Sequence, residues 1–347
     1  MADVRLIVAS AIAALIVSAA MAADDAALLV EARQVFQPLP KDMSTADAPV
    51  TKERVLLGRM LFFDPRLTAD GNVSCATCHQ PALYGADALP TSIGVKQRPH
   101  PRNAPTVLNS ALAFKNHWRG DRESLEDQAA QALKSPITSG LEERDVVDRI
   151  SRIGGYAPLF EAGFPKEAYP ITVKTMAVAI AAYERTLVTP SRFDAYLAGD
   201  VAALSPVARA GLQTFIKTGC ATCHSSVGIG GGMYQKFGIV EDYWTATGSH
   251  TIDKGRADVT KDPADLYVFR VPSLRNVAMT APYFHDGSVA TLPDAVRVMA
   301  RVQLGQKLSD PEINAIVAFL ESLTGDLPAE FAAAPVLPPA AVPGAPH

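Results

Sequence analysis

Outside two short clusters the 347-residue chain has no cysteine, which excludes a disulfide framework. It has no strong excess of either charge. Its 32 basic and 36 acidic side chains give a net charge of −4 and a pI near 6.0, so nothing in the balance points to nucleic acid as a partner. Past the first two dozen residues no apolar run is long enough to span a bilayer. What remains is a composition of 48% hydrophobic and 20% charged residues, ordinary for a globular chain and long enough for two domains with their own cores.

The four cysteines that do occur stand as Cys75-Ala76-Thr77-Cys78-His79 and Cys220-Ala221-Thr222-Cys223-His224. Cys-x-x-Cys-His is the attachment pattern of a c-type haem. Two thiols add across the haem vinyl groups, and the adjacent histidine is placed to become the proximal iron ligand. A thioredoxin-like redox pair or half of a zinc site leaves the histidine after each pair unexplained. The repeat therefore predicts two covalent c-type haems, held by Cys75 and Cys78 with His79 and by Cys220 and Cys223 with His224.

At the N-terminus Arg5 precedes an apolar run from Leu6 to about Ala23, and Ala20-Met21-Ala22 resembles a small-residue cleavage site before Asp24 and Asp25. This reads as a secretory signal peptide over residues 1–23, with a retained membrane anchor as the alternative. Export suits covalent haem, whose attachment in bacteria is completed outside the cytoplasm, so the expected location is the periplasm.

Both cysteine clusters have a similar preface. Lys52 to Phe63 carries Val55, Leu56, Met60 and Phe63 at helical spacing and stops at Asp64-Pro65; Pro206 opens a helix whose stripe is Val207, Leu212 and Phe215, and Thr218-Gly219 ends it. Each half also closes with an amphipathic helix. The first runs through Val173, Met176, Ile180, Glu184 and Leu187. The second is opened by a Ser309/Glu312 capping box and terminated by Gly325. The expectation is a mostly α fold of two cytochrome c-like domains, residues 24–188 and 189–325, each with one covalent haem. Between Ser226 and Val268 irregular loop with a short strand is expected, and residues 326–347, rich in Pro and Ala, read as an extended or disordered surface tail.

Methionines divide the two haems. Between His79 and Cys220 only Met176 occurs, on an apolar helical stripe, whereas Met233, Met279 and Met299 follow the second cluster. A Met/His-ligated iron has a raised potential and an open one can bind an oxidant, so the pattern suggests one haem that stores electrons and one that meets substrate.

Longer stretches carry a resemblance. Leu61-Phe62-Phe63-Asp64-Pro65-Arg66-Leu67, Thr91-Ser92-Ile93-Gly94, Asn103-Ala104-Pro105-Thr106-Val107-Leu108-Asn109, the run from Tyr267 to Val277, and Pro282-Tyr283-Phe284-His285-Asp286-Gly287 resemble the bacterial dihaem cytochrome c peroxidases. That family also includes the dihaem enzyme that matures the quinone of methylamine dehydrogenase. The resemblance implies a periplasmic homodimer that reduces hydrogen peroxide with electrons from a small cytochrome c or copper protein (cupredoxin). It implies that electrons arrive at the C-terminal haem with Met299 as axial ligand, and that peroxide is cleaved at the N-terminal haem. Trp118 matches the tryptophan between the haems, and Gln128 a glutamine near the distal pocket. Asn103 by its side chain, with Thr280 and Pro282 by their carbonyls, match a calcium site, whose oxygen donors suit that ion. His285 matches a structural residue near the domain interface.

The chain also departs from the family. Val95 stands where many members place a removable distal histidine. His100, five residues on and between prolines, reads as surface-exposed unless its loop is rearranged. Thr138 stands where peroxidase members usually carry a glutamate that moves the proton between the peroxide oxygens, which is general acid–base work. Glu142 and Glu143 follow closely and are either substitutes or a solvated helix start. His117 is either a distal acid–base group or a packed, hydrogen-bonded residue. Two other readings follow: a dihaem oxidase acting on a protein or organic substrate, and a non-enzymatic dihaem electron-transfer or redox-sensing protein. Retention of Met299 argues against the first, because the quinone-maturing enzyme has tyrosine there.

Overall fold

A computed structural model describes residues 24–339. The expected signal peptide and residues 340–347 lie outside them. Among the described residues no helix is long and apolar enough to cross a membrane. The first half contains α1 (24–35), α2 (Lys52–Phe63), α3 (Cys75–Cys78), α4 (Leu125–Leu133), α5 (Glu143–Ser151), α6 (Ala157–Gly163) and α7 (Val173–Glu184). The second contains α8 (Arg192–Ala198), α9 (Pro206–Lys217), α10 (Tyr243–Thr247), α11 (Ala257–Thr260), α12 (Leu292–Leu304), α13 (Asp310–Glu321) and α14 (Ala329–Ala332). Strand β1 (Tyr234–Lys236) pairs antiparallel with β2 (Val268–Arg270), Gln235 opposite Phe269. The fold is mostly α, as expected.

Local chemistry explains the helix ends. Thr51 caps α2 by accepting from Arg54 N, and Pro65 ends it. Asp64 at that boundary is fully buried and accepts from the Arg66 backbone N–H, the Arg66 guanidinium and, at 2.8 Å, the Tyr156 hydroxyl. Its carboxylate thereby holds the end of α2 to the loop that delivers Cys75. The Ser309/Glu312 capping box is present. Helix α13 stops at Glu321, though, and Gly325 instead pairs with Ser191.

The same crossing builds both halves. Helix α2 lies across α7 and α9 lies across α13. At the first crossing a Cβ on Gly58 would sit 1.8 Å from Ala179 O, and at the second a Cβ on Gly211 would sit 1.8 Å from Ala315 O. Only glycine lets the backbones approach this closely. The approach fixes how each helix is rotated, and it corrects the expected faces. On α2 the buried residues are Leu57, Gly58, Leu61 and Phe62, while Leu56 is exposed. On α9 the buried face is Ala208, Gly211, Leu212 and Phe215, and Val207 points to solvent.

The two cores exchange their chain ends. Leu28, Ala32 and Phe36 from α1 and its exit pack with Phe193, Leu212, Phe319 and Leu320 of the second half. Phe331 on α14, fully buried, joins Leu61, Phe62 and Tyr183 of the first. Arg59 donates to the carbonyls of Glu330 and Ala333, and Arg66 to that of Pro338. The segment 24–36 therefore belongs to the second core rather than the first. Residues 326–339 are seated on the first domain rather than loose on the surface, because one aromatic ring in each terminal segment finds its apolar partners across the molecule.

Candidate active site

Each cysteine cluster is a single turn at the end of a short connection. His79 N–H bonds Cys75 O and His224 N–H bonds Cys220 O, both at 3.0 Å, so the thiols and the imidazole of each set issue from one turn. All four cysteines are free thiols. Both clusters line one continuous cavity of about 800 Å³ that runs through the two domains.

The proximal histidines are set alike. His79 Nδ1 lies 3.0 Å from Gly85 O and His224 Nδ1 lies 3.4 Å from Ile229 O. Donation to a carbonyl fixes the proton on Nδ1 and leaves the Nε2 lone pair for a metal. Burial lowers the proton affinity of both rings, pulling His224 down to about 4, and a neutral imidazole is the ligating form. Paired thiols, an oriented neutral imidazole and an apolar cavity are the donor set that a c-type haem needs, so the residues fit two haems.

A second repeat, too diluted by substitution to stand out in the sequence, surrounds these ligands. Gly85 O also accepts from Val107 N, and Ile229 O also accepts from Leu274 N. Two residues further on, Asn109 and Asn276 both adopt left-handed backbone and cap a 3-10 turn. Both asparagines donate from Nδ2 to Thr189 Oγ1, at 2.7 and 2.8 Å. Pro105-Thr106-Val107-Leu108-Asn109 and Pro272-Ser273-Leu274-Arg275-Asn276 are thus one element used twice, joined at a buried hydroxyl between the domains. Arg275, fully buried, also forks onto Asp194 at 2.9 and 3.0 Å.

The repeat continues into two loops on the cavity wall. Asn116 bridges Arg122 as Tyr283 bridges Val289, and His117 and Phe284 carry matching positive φ of 64° and 72°. This register makes Trp118 and His285 counterparts, and their rings meet edge to face at 6.3 Å. Trp118 Nε1 donates to Asn103 O at 2.9 Å, and Asn103 N donates to His285 O at 2.8 Å.

The remaining expected residues fall as follows. Met299, on α12, is the only methionine on the cavity wall among the described residues; Met176 is buried in the first core and Met279 is exposed. Gln128, Thr138, Asn103, Thr280 and Pro282 all line the cavity. Glu142 and Glu143 are exposed at the start of α5 and are not on the cavity wall. His100 is a correction: its N–H returns to Ser92 O at 2.8 Å, and its ring lines the cavity rather than the surface. Glu184, on α7, is a buried cavity residue whose role the sequence did not suggest. Burial pushes its carboxyl up to about 8, and Oε2 has no hydrogen-bond partner.

Comparisons with known proteins agree with this geometry. The family model for Di-haem cytochrome c peroxidase matches residues 52–202, and that for Cytochrome c matches residues 208–324. The chain is 41% identical to Cytochrome c551 peroxidase of Pseudomonas aeruginosa over 87% of its own length and 88% of the relative. It is 40% identical to Cytochrome c551 peroxidase of Nitrosomonas europaea over 90% of each. Among solved structures, a MauG-like protein associated with microbial copper homeostasis superposes with a TM-score of 0.77 at 30% identity, over 86% of this chain and 97% of that one. Two haem-attachment turns on one cavity, carried by a duplicated scaffold with relatives of this identity and coverage, place the chain in the dihaem cytochrome c peroxidase family.

Proposed function

We propose that this protein reduces hydrogen peroxide to water with electrons from a small cytochrome c or a copper protein, working in the periplasm as a homodimer. The observation that carries the reading is the single cavity shared by both Cys-x-x-Cys-His sets, with Trp118 and Met299 on its wall. When bound, the haems supply the iron redox chemistry that accepts electrons and breaks the O–O bond. His224 and Met299 would hold the C-terminal haem, a ligand pair that raises potential. His79 holds the N-terminal haem. Trp118, on the cavity wall and bonded to the Asn103 carbonyl, would shorten the path between them. Gln128 offers a hydrogen-bonding amide to the N-terminal part of the cavity.

The bond from Trp118 to the Asn103 carbonyl also supports a calcium ion held by the Asn103 side chain and the carbonyls of Thr280 and Pro282, since a hard cation there fixes the loop that carries the tryptophan. Metal analysis of the haem-loaded protein checks this, and absence of calcium removes it.

Steady-state peroxide consumption with a reduced small cytochrome, set beside oxygen consumption, tests the central reading. Peroxide-dependent oxidation of two donor equivalents per peroxide is expected. A second reading, oxidation of a protein or organic substrate, draws on the likeness to the MauG-like structure. Negligible donor oxidation together with peroxide- or oxygen-driven loss of such a substrate selects it.

A further inference from the structure

We propose that His117, oriented by Asp121, is the acid–base group of the N-terminal haem cavity. The proposal rests on the peroxidase reading for the identity of its substrate, and on the following geometry for the site.

His117 is on the cavity wall and its side chain is 40% exposed, so the imidazole is accessible rather than packed away. Its Nδ1 faces Asp121 Oδ1 at 3.6 Å. That oxygen is buried and has no hydrogen-bond partner, while Oδ2 is held by Arg119 and Arg122 at 3.1 and 2.8 Å. Burial by itself raises the Asp121 carboxyl. The opposing pull of His117, Arg119 and Arg122 is larger and keeps it ionised well below the usual carboxylate range. A fixed carboxylate facing Nδ1 keeps a proton there and leaves Nε2 as the base; such contacts are often loose before substrate binds and tighten afterwards.

The backbone does not require a histidine here. The equivalent position of the other domain, with the same left-handed conformation, is Phe284, whose ring packs against Phe237 at 4.9 Å. Where one domain places an apolar ring, the other places an imidazole with its own carboxylate. The Glu142 and Glu143 carboxylates are off the wall, and Thr138 has no titratable group; His100 and Glu184 also line the cavity, but of these three His117 alone faces a carboxylate fixed by two guanidinium groups. The other charged or titratable groups near it are His79 and His100, both on the cavity wall, and Arg270, whose Nε donates to His117 O at 3.1 Å.

With hydrogen peroxide as substrate, His117 Nε2 takes the proton from one oxygen and returns it to the other. That second oxygen leaves as water as the O–O bond breaks. The oxygen left behind becomes the second water with two electrons from the reduced donor and two protons. His117 is the catalytic residue and Asp121 positions it. General acid–base groups contribute about 10²–10⁴-fold.

The test uses fluoride, an anion whose binding to the oxidised, haem-loaded protein is read from the visible spectrum without turnover. A protonated His117 donates to bound fluoride. Wild-type affinity is therefore expected to fall as the pH is raised, because one proton is taken up with the anion. His117→Gln is expected to lose that dependence and to bind fluoride roughly 10- to 100-fold more weakly. His117→Phe, the residue type that the other domain tolerates, provides a second variant should the first misfold. Asp121→Asn is expected to move the profile to lower pH, and His100→Gln to leave it in place. Unchanged fluoride affinity and pH dependence in both His117 variants overturns the proposal, as does a profile that follows His100 instead or a wild-type protein that takes up no fluoride. Peroxide turnover by the wild-type protein separates the two ideas. A His117-dependent fluoride profile without peroxide reduction leaves the acid–base site standing and removes only its substrate.

Discussion

Replacing Gly58 or Gly211 by alanine reverses the usual sign of a glycine-to-alanine change in a helix. At an ordinary helical site alanine stabilises by about 1 kcal/mol. At Gly211 the new methyl carbon would lie 1.8 Å from Ala315 O, 2.4 Å from Ala315 C and 3.0 Å from Ile316 N, and Gly58 meets Ala179 and Ile180 at the same three distances. The contacting atoms are backbone, which cannot rotate away, so the helices must separate by well over an ångström at the crossing that centres each core. Overpacking of this kind costs about 1–3 kcal/mol and sometimes more. Separation of whole helices belongs at the upper end, so a net loss of about 2 kcal/mol is expected in the altered domain. For a domain of this size that lowers Tm by roughly 4–8 °C. Thermal unfolding of the haem-loaded variants, followed by far-ultraviolet circular dichroism and by Soret absorption, measures it. An increase in Tm for either variant would show that the crossing is loose and would refute the argument.

Three further outcomes are expected. Met299→His should lower the potential of the C-terminal haem in a redox titration, and an unchanged potential would make Met299 a packing residue of the wall. Arg275→Met leaves the buried Asp194 carboxylate without its guanidinium, although Ser191 and Leu39 still donate to it; a loss of about 3–5 kcal/mol in denaturant unfolding is expected, and a loss under 1 kcal/mol would mean that those donors suffice. Glu184 is held protonated in the folded state, its carboxyl raised by burial from 4.5 to about 8. Its contribution to stability is therefore complete below the unfolded value and lost as pH rises through about 8. Glu184→Gln should flatten the fall in Tm over that window, and an unaltered slope would show that another group is responsible.

Much of the architecture was legible because it is written locally. The cysteine clusters, the Ser309/Glu312 cap and the stops at Pro65 and Gly219 are short-range signals, and the helices they predict are present. Rotation of α2 was not legible. Of the expected stripe, Val55, Met60 and Phe63 are half-buried against the core and only Leu56 is exposed, while Leu57, Leu61 and Phe62 form its buried centre, set by Gly58 against a backbone more than a hundred residues away. His100 looked like a surface residue because prolines flank it, whereas a single hydrogen bond to Ser92 folds it inward. The second repeat was present in the letters around Asn109 and Asn276 but diluted by substitution. Only the shared bonds to Gly85 O, Ile229 O and Thr189 Oγ1 make it plain. The pairing of His117 with Asp121 depends on a tight loop whose twin carries Phe284, which no single-sequence pattern announces.

The exchanged chain ends bear on how the protein is made. A chain synthesised from its N-terminus presents α1 long before the helices that cover it exist, and the first haem domain is finished only when Phe331 arrives, near the last residues to appear. Neither half can close as an independent unit on the way. Contacts of such sequence separation slow folding, and the cavity stays accessible during that delay. Haem access to Cys75 and Cys78 is easiest before Phe331 completes the first core. A truncation that removes α14 should therefore extend the interval in which the N-terminal cysteine pair remains open, while leaving the C-terminal pair on its usual schedule.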